Sequence, residues 1–366
     1  MEERDDLKFM RRCIDLASGA EGFTYPNPLV GSVIVHEGKI IGEGYHLKAG
    51  TDHAEVAAIK SVREKDKLSL STLYVNLEPC SHHGKTPPCA DLIIANSIRR
   101  VVAGTIDTNV KVSGEGIAKL RKAGVQVTTG VAEEECRRLN RRFFTFHEKK
   151  RPYITLKWAQ SADGYIDILR SEDHRVEPTW ITGKPERSLV HKWRTEEESI
   201  LVGGGTVRAD NPRLNVRDWK GNNPLRLLLS SSGNIDKESS LLADGEKTVV
   251  FTNSTEHDFP NAIKIRLDHK MPACRQIVQY LYDSGKQSLF IEGGEQVLNH
   301  FISNGLWDEA RIFSGEKYFE GGVPAPLLNG KLFSKTLFSS SLLEIYLNPK
   351  SEIRNPKSEI FINVKE

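Results

Sequence analysis

The sequence predicts an α/β protein of two domains, on three observations. Its 366 residues exceed the usual size of one compact core. Strand-like and helix-like segments alternate along both halves, the rhythm of sheets covered by helices. Between the halves, His147-Glu148-Lys149-Lys150-Arg151-Pro152 is charged, ends in proline and has no apolar periodicity, which marks a linker. The expected division is a first domain over residues 1–146, a linker over 147–152 and a second domain over 153–366.

Leu7, Met10, Ile14 and Ala17 recur at three- and four-residue intervals, the stripe of a helix over residues 5–20. Val30–Val35 and Lys39–Tyr45 flank Glu37-Gly38 and predict two strands joined by a tight turn. Helices are expected at His53–Val62, Ala90–Asn96 and Gly116–Ala123, with strands at Thr72–Leu77, Arg100–Thr105 and Val125–Thr129. The second half reads as strands near 153–158, 199–203, 225–230, 247–252 and 288–291, with helices near 184–195, 272–284 and 294–304. This pattern favours a mostly parallel sheet. The hexapeptide NPKSEI at Asn348–Ile353 recurs at Asn355–Ile360. Two copies cannot build a repeat fold, so they read as an insertion before a last strand, Ile360–Val364.

A charged fraction of 27 % and a hydrophobic fraction of 38 % describe an ordinary globular chain, neither disordered, fibrous nor membrane-embedded. Lys and Arg total 51 against 49 Asp and Glu, and the resulting +2 provides no long-range field for gripping a nucleic acid. Arg137, Arg138, Arg141 and Arg142 read as the solvated face of an amphipathic helix. Met1–Asp6 is acidic with no apolar stretch behind it, so neither a signal peptide nor a membrane anchor is expected, and a cytoplasmic address follows. Five cysteines, odd and sparse, do not form a disulfide framework. In a reducing compartment their thiolates are free to bind metal.

His53-Ala54-Glu55 opens a helix, Pro79-Cys80 follows a strand, and Cys89 opens the next helix. One imidazole and two thiolates give zinc three ligands and leave a fourth tetrahedral position for water, the arrangement of a catalytic site. Metal binding lowers the pKa of that water to about 7, which allows attack on an electron-poor ring carbon bearing an amino group. Glu55, outside the ligand set, is placed to relay the proton to the departing ammonia. The His-x-Glu and Pro-Cys pattern is that of zinc deaminases, except that eight residues, Ser81 to Pro88, separate the cysteines where two are general. A structural zinc site, or two unrelated buried thiols, is the alternative reading, and His82 or His83 could substitute as a ligand.

The segments YPNPLVGSVIV (25–35), GEGYHLKAGTDHAEVAAI (42–59) and LEPCSHHGKTPPCADLII (77–94) closely resemble the deaminase half of the bifunctional riboflavin-biosynthesis deaminase/reductase family. The long insertion between the cysteines is a signature of that family. The resemblance implies a cytidine-deaminase-like α/β/α domain that removes the 2-amino group of a diamino-ribosylaminopyrimidinone 5′-phosphate. It places Asn27 at the substrate ring and makes His46, His82, Lys85 and Thr86 candidates for the ribose and phosphate. Where family members usually read Asp-Pro-Asn, this chain has Asp107-Thr108-Asn109.

From about Arg151 onward, LKWAQSADG (156–164), TWITG (179–183), RTEEESILVGGGTVRADNPRLNVR (194–217) and FIEGGEQVL (290–298) resemble the reductase of the same family. That similarity implies a dihydrofolate-reductase-like α/β domain using NADPH to reduce the ribosyl group to ribityl. Gly203-Gly204-Gly205-Thr206 follows a strand, where bare backbone amides could approach a phosphate, and no Gly-x-Gly-x-x-Gly fingerprint is present. By resemblance, Ala159, Trp180, Thr206, Asp210, Gly293 and Gly294 contact the cofactor. Arg194, Leu214, Arg217 and Glu292 contact the substrate, and Lys157 polarises its ribosyl oxygen. Asp163-Gly164 reads as a turn. Between Asp163 and Trp180 the chain departs from the family: IDILRSEDHRVEP is longer and carries Pro178 where a substrate-contacting Ser is common. Family members commonly form homo-oligomers, and the expected partner is a small phosphorylated pyrimidine. A nucleoside or tRNA deaminase shares the zinc core, and a non-catalytic zinc protein with an inactive reductase-like domain is the remaining alternative.

Overall fold

The computed structural model describes residues 2–81, 87–108, 114–170, 176–259, 261–350 and 360–363. The chain divides into two compact units, Met1–Lys150 and Arg151–Glu366.

In the first unit the order is α1 (Glu2–Ser18), β1 (Gly31–His36), β2 (Lys39–Tyr45), α2 (Ala54–Ser61), β3 (Thr72–Val75), α3 (Cys89–Ala95), β4 (Arg100–Ala103), α4 (Glu115–Lys122), β5 (Gln126–Thr129), α5 (Glu133–Leu139) and α6 (Arg141–Lys149). The sheet runs β2-β1-β3-β4-β5, antiparallel on either side of β1 and parallel from β3 to β5. Glu37 and Gly38 both take positive φ, the twist a two-residue hairpin needs. Alternation along the strands sends Ile34, Leu73, Val75 and Val101 to one face, against Ala58, Ile93 and Leu120 of α2, α3 and α4. Val33, Val35, Tyr74 and Val102 face the other way, onto Met10 and Cys13 of α1 and Cys136 of α5. The unit is therefore an α/β/α sandwich.

Two local expectations change. Helix α6 continues to Lys149, so His147 to Lys149 form its last turn instead of a linker, and Lys150 ends it at φ 54°. The arginine cluster is not a solvated face. Arg142 is buried and donates to Glu21 at 2.6 Å, while Arg137 stacks 4.3 Å from the Phe144 ring and pairs with Glu148. Cations with apolar stems cover aromatic surface here.

The second unit runs β6 (Tyr153–Gln160), β7 (Tyr165–Asp167), α7 (Lys184–Glu196), β8 (Ser199–Gly203), α8 (Gly204–Asp210), β9 (Leu225–Leu229), α9 (Ser240–Ala243), β10 (Thr248–Thr252), β11 (Ala262–Arg266), α10 (Ala273–Asp283), β12 (Ser288–Glu292), α11 (Glu295–Ser303), β13 (Glu309–Gly315), β14 (Val323–Pro324), β15 (Lys331–Leu337), β16 (Ser341–Leu347) and β17 (Ile360–Asn363). Its main sheet is ordered β11-β10-β9-β8-β12-β6-β13-β16-β15-β17. All neighbours from β11 to β13 are parallel, as the sequence predicts, and β16 and β15 add an antiparallel end it does not. The second NPKSEI copy lies almost wholly outside the described residues.

Strands β8 and β10 are buried along their whole length, as expected of parallel strands covered on both faces. Leu201, Leu227, Val249 and Ile291 pack with α10 and α11 on one side. Ile200, Val202, Leu228 and Phe290 pack with Val190 and Trp193 of α7 on the other. Each such fully buried side chain contributes roughly 1.5–3 kcal/mol.

Candidate active sites

The first site lies beyond the carboxyl ends of β3 and β4, where open α/β sheets place their ligands. His53 is the N-cap of α2, Cys89 begins α3, and the Cys80 carbonyl accepts from the Ala90 N–H, tying the two cysteine segments together. His53 Nδ1 lies 3.3 Å from Cys89 Sγ and 3.6 Å from Cys80 Sγ, and all three donor atoms fall within 4.8 Å of one another. Zinc with Zn–S and Zn–N bonds of ordinary length has tetrahedral N···S edges of about 3.5 Å, so this donor set fits the ion. Hydrogen bonding from the Cys89 thiol and from His53 holds Cys80 below the usual thiol range, and the same bond to Cys80, with burial, pushes Cys89 up. A bond to Cys80 raises His53, against burial.

Glu55, in the first turn of α2, is buried beside these ligands. Burial, and then the Cys80 charge, lifts its carboxyl to about 7. His46 is buried 5.6 Å from the His53 ring, edge to face, and burial lowers its pKa. Its Nδ1 lies 3.0 Å from the Asp52 carbonyl, which can only accept. The neutral ring therefore carries its proton on Nδ1, and Nε2 accepts from Asn27 Nδ2 at 3.0 Å. Among the described residues the Asn27 carbonyl oxygen and its second amide N–H make no further hydrogen bond. Structure thus brings Asn27, His46, His53, Glu55, Cys80 and Cys89 together, while His82, Lys85 and Thr86 lie outside the described residues.

Glu78, between β3 and Cys80, was not singled out from sequence. Its Oε1 accepts from the N–H groups of Gly116 (2.9 Å) and Ile117 (3.3 Å), and its Oε2 from Gly114 (2.9 Å) and Asp107 (3.2 Å). One carboxylate therefore holds the amino end of α4 beside the cysteine loop.

The second site is a cavity of about 1200 Å³ in the second unit. That volume exceeds an ordinary small-ligand pocket and admits a dinucleotide together with a second molecule. Every residue the sequence assigns to this half lines it: Ala159, Trp180, Thr206, Asp210, Gly293 and Gly294 from the cofactor set, and Lys157, Arg194, Leu214, Arg217 and Glu292 from the substrate set. Gly293 and Gly294 have φ of 89° and 73°, and a Cβ on Gly294 would come 3.1 Å from Thr206 Oγ1, so only glycine keeps this wall open. Arg187 stacks 4.3 Å from the half-exposed Trp180 ring. Pro178 also faces the cavity. Asp163-Gly164 is the expected turn, with the Gly164 N–H bonded to the Ser161 carbonyl.

Arg194 grips Glu292 with two hydrogen bonds, Nε to Oε1 at 2.6 Å and Nη2 to Oε2 at 2.8 Å. Burial raises Glu292, but the charge and hydrogen bonding of Arg194, joined by the charges of Lys157 and His191, together outweigh it and hold the carboxyl below its usual range. Lys157 is lowered by burial, with Arg194 adding to the effect and Glu292 opposing it. Among the described residues no hydrogen bond to its Nζ is made, and the residue lines the cavity. Leu214 is buried at φ 55°, a strained backbone for a branched residue, and lines the cavity. His191 Nδ1 accepts from the Arg217 N–H at 3.3 Å. Arg170, from the long segment before Trp180, bonds Asp167, Thr179 and Asp210 at the cavity wall. Burial lifts Asp210 to about 6 in spite of that cation.

Comparison with known proteins matches both halves of the chain. Residues 3–105 match the cytidine and deoxycytidylate deaminase zinc-binding region, and residues 152–344 match the RibD C-terminal domain. The riboflavin biosynthesis protein RibD of Aquifex aeolicus is 40 % identical over 87 % of this chain and 89 % of its own. That of Escherichia coli is 34 % identical over 85 % of this chain and 88 % of its own. The crystal structure of a diaminohydroxyphosphoribosylaminopyrimidine deaminase/5-amino-6-(5-phosphoribosylamino)uracil reductase from Thermotoga maritima superimposes with a TM-score of 0.85 at 37 % identity, covering 95 % of this chain and 99 % of that one. The chain belongs to the RibD family of riboflavin-biosynthesis enzymes, which join a zinc-type deaminase domain to a reductase domain.

Proposed function

We propose that residues 1–146 deaminate 2,5-diamino-6-ribosylamino-4(3H)-pyrimidinone 5′-phosphate and that residues 153–366 then reduce its ribosyl group, giving 5-amino-6-ribitylaminouracil 5′-phosphate. The observation that carries this reading is the convergence of His53, Cys80 and Cys89 beside the buried Glu55 carboxyl. Held by those three residues, zinc supplies Lewis acidity at neutral pH. Glu55 takes a proton from the attacking water on its carboxylate and hands it to the leaving amino group. Asn27 holds the ring through its free amide edge, with His46 fixing that amide. His82, Lys85 and Thr86 are the candidates for the phosphate.

In the second site NADPH supplies the hydride. Thr206, Asp210, Ala159, Trp180 and the Gly293-Gly294 turn hold it, and the Lys157 amine polarises the ribosyl oxygen. Arg194 and Arg217 offer a cationic grip for the phosphate, with Glu292 orienting Arg194. A formal charge of +2 supports a small-molecule substrate over nucleic acid, and no described helix is long and apolar enough to cross a membrane. A cytoplasmic homo-oligomer is the form we expect.

Glu55→Gln tests the assignment. It should retain about one zinc per chain, lose deamination by about 10²- to 10⁴-fold, and still oxidise NADPH on substrate deaminated beforehand. Undiminished ammonia release would remove Glu55 from the chemistry, and reduction of the undeaminated compound at full rate would overturn the order of steps.

A further inference from the structure

The segment Asn27–Val30 precedes β1 and belongs to no strand, yet Leu29 is buried. Buried backbone without a strand partner leaves N–H and C=O groups orphaned. Two side-chain amides meet them here. Asn140 Oδ1 accepts from the Leu29 N–H at 2.7 Å, and Asn140 Nδ2 donates to the Leu29 carbonyl at 2.9 Å. Asn76 Nδ2 donates to the same carbonyl at 2.9 Å, while Asn76 Oδ1 accepts from the Gly31 N–H at 2.7 Å. Both asparagines are buried. Asn140 sits at the junction of α5 and α6, and Asn76 follows β3 on the way to Cys80.

Asn27, the candidate ring contact, and His46, which bonds it, both hang from this clamped stretch. Asn27 lies two residues before Leu29, and the Val30 carbonyl accepts from the His46 N–H at 2.9 Å. Asn27 and His46 then bond each other through their side chains. We propose that Asn140 and Asn76 are positioning residues for the ring-binding end of the deaminase site, acting through the Leu29–Gly31 backbone on Asn27 and His46. The proposal rests on the reading of Asn27 as a ring contact. One side-chain amide supplies from a single planar group the acceptor for the Leu29 N–H and a donor for the Leu29 carbonyl. An aspartate at 140 keeps the bond to the Leu29 N–H and turns a second acceptor toward the Leu29 carbonyl.

The test compares Asn27→Ala, Asn140→Asp and the double variant in the full zinc-loaded chain, following ammonia release against substrate concentration. Asn140→Asp should keep about one zinc per chain and raise the deaminase KM by about tenfold or more. Reduction of previously deaminated substrate should not change. The double variant should be no worse than Asn27→Ala alone, because a contact already removed cannot be misplaced. An unchanged KM in Asn140→Asp, or an effect that multiplies with that of Asn27→Ala, would overturn the proposal and assign Asn140 to stability alone. Unaltered kinetics in Asn27→Ala would instead refute the ring-contact reading, and with it any action through Asn27. If Asn140→Asp folds poorly, Asn140→Ala removes both the donor and the acceptor without adding charge, and the same outcomes decide.

Discussion

Glu78→Gln isolates what a single carboxylate does for the zinc-bearing loop. Each of its oxygens accepts two backbone N–H groups, from Gly116 and Ile117 on one side and from Gly114 and Asp107 on the other. Glutamine has the same shape but retains one acceptor oxygen, so its NH₂ group faces two donors. Hydrogen bonds to a charged acceptor are worth roughly 1.5–3 kcal/mol each, and allowing the longer pair less weight sets the loss at about 3 kcal/mol. With an ordinary dependence on urea, the first unit should unfold at a midpoint lower by about 1–2 M. Zinc release to a colorimetric chelator reads that unit. All five tryptophans, Trp158, Trp180, Trp193, Trp219 and Trp307, lie in the second, so their fluorescence is an internal control. A zinc-release midpoint shifted by less than about 0.3 M, or an equal shift in both signals, would refute the reasoning.

Arg170→Ala strips the cation from Asp167 and Asp210 at the wall of the reductase cavity. Its KM for NADPH should rise by about tenfold, the equivalent of a partly buried ion pair at roughly 1.4 kcal/mol, with ammonia release unaffected. An unchanged KM would show that Asp210 does not face the cofactor. His191 offers a pH test. Burial, then the charges of Arg194 and Arg217, outweigh Asp218 and Glu292 and depress it to about 4. The unfolded chain takes up this proton near pH 6.5 and the folded one only near pH 4, so the stabilising share is complete above the upper value and lost as pH falls through the window. His191→Gln removes that loss. Going from about pH 7.5 to about pH 5, the variant should gain about 2 kcal/mol on the wild type in tryptophan-monitored urea unfolding, and parallel pH curves would refute the assignment.

The candidate metal cluster was legible in the sequence because metal chemistry restricts residue type, and the spacing of His53, Glu55, Cys80 and Cys89 placed each at a helix start or after a strand. The parallel core of the second sheet was legible for a similar reason: SILVG and TVVFT are apolar on both faces. Strands β13, β15 and β16 were missed. They close an antiparallel end, and β15 is at most half-buried, so its polar and apolar residues mix without a long hydrophobic run. Glu78, Asn76 and Asn140 were missed because a buried polar side chain that serves distant backbone leaves no local pattern. Asn140 and Leu29 are 111 residues apart. Arg170 was equally hidden, since an arginine in an irregular charged segment reads as solvated until its partners are known.

The strand order of the second sheet also sets a timetable for synthesis. All zinc ligands and the whole core of the first unit are made before residue 151, so that half can bury its thiols while the remainder is still on the ribosome. In the second unit the earliest strand, β6, lies in the interior of the sheet between β12 and β13. Both its neighbours, residues 288–292 and 309–315, are made only after β8, β9, β10 and β11. Its buried segment, Tyr153 to Leu156, must wait unpaired for more than half the length of its own unit. The first-made strand of the second unit is thus enclosed only after most of the parallel sheet around it has been made.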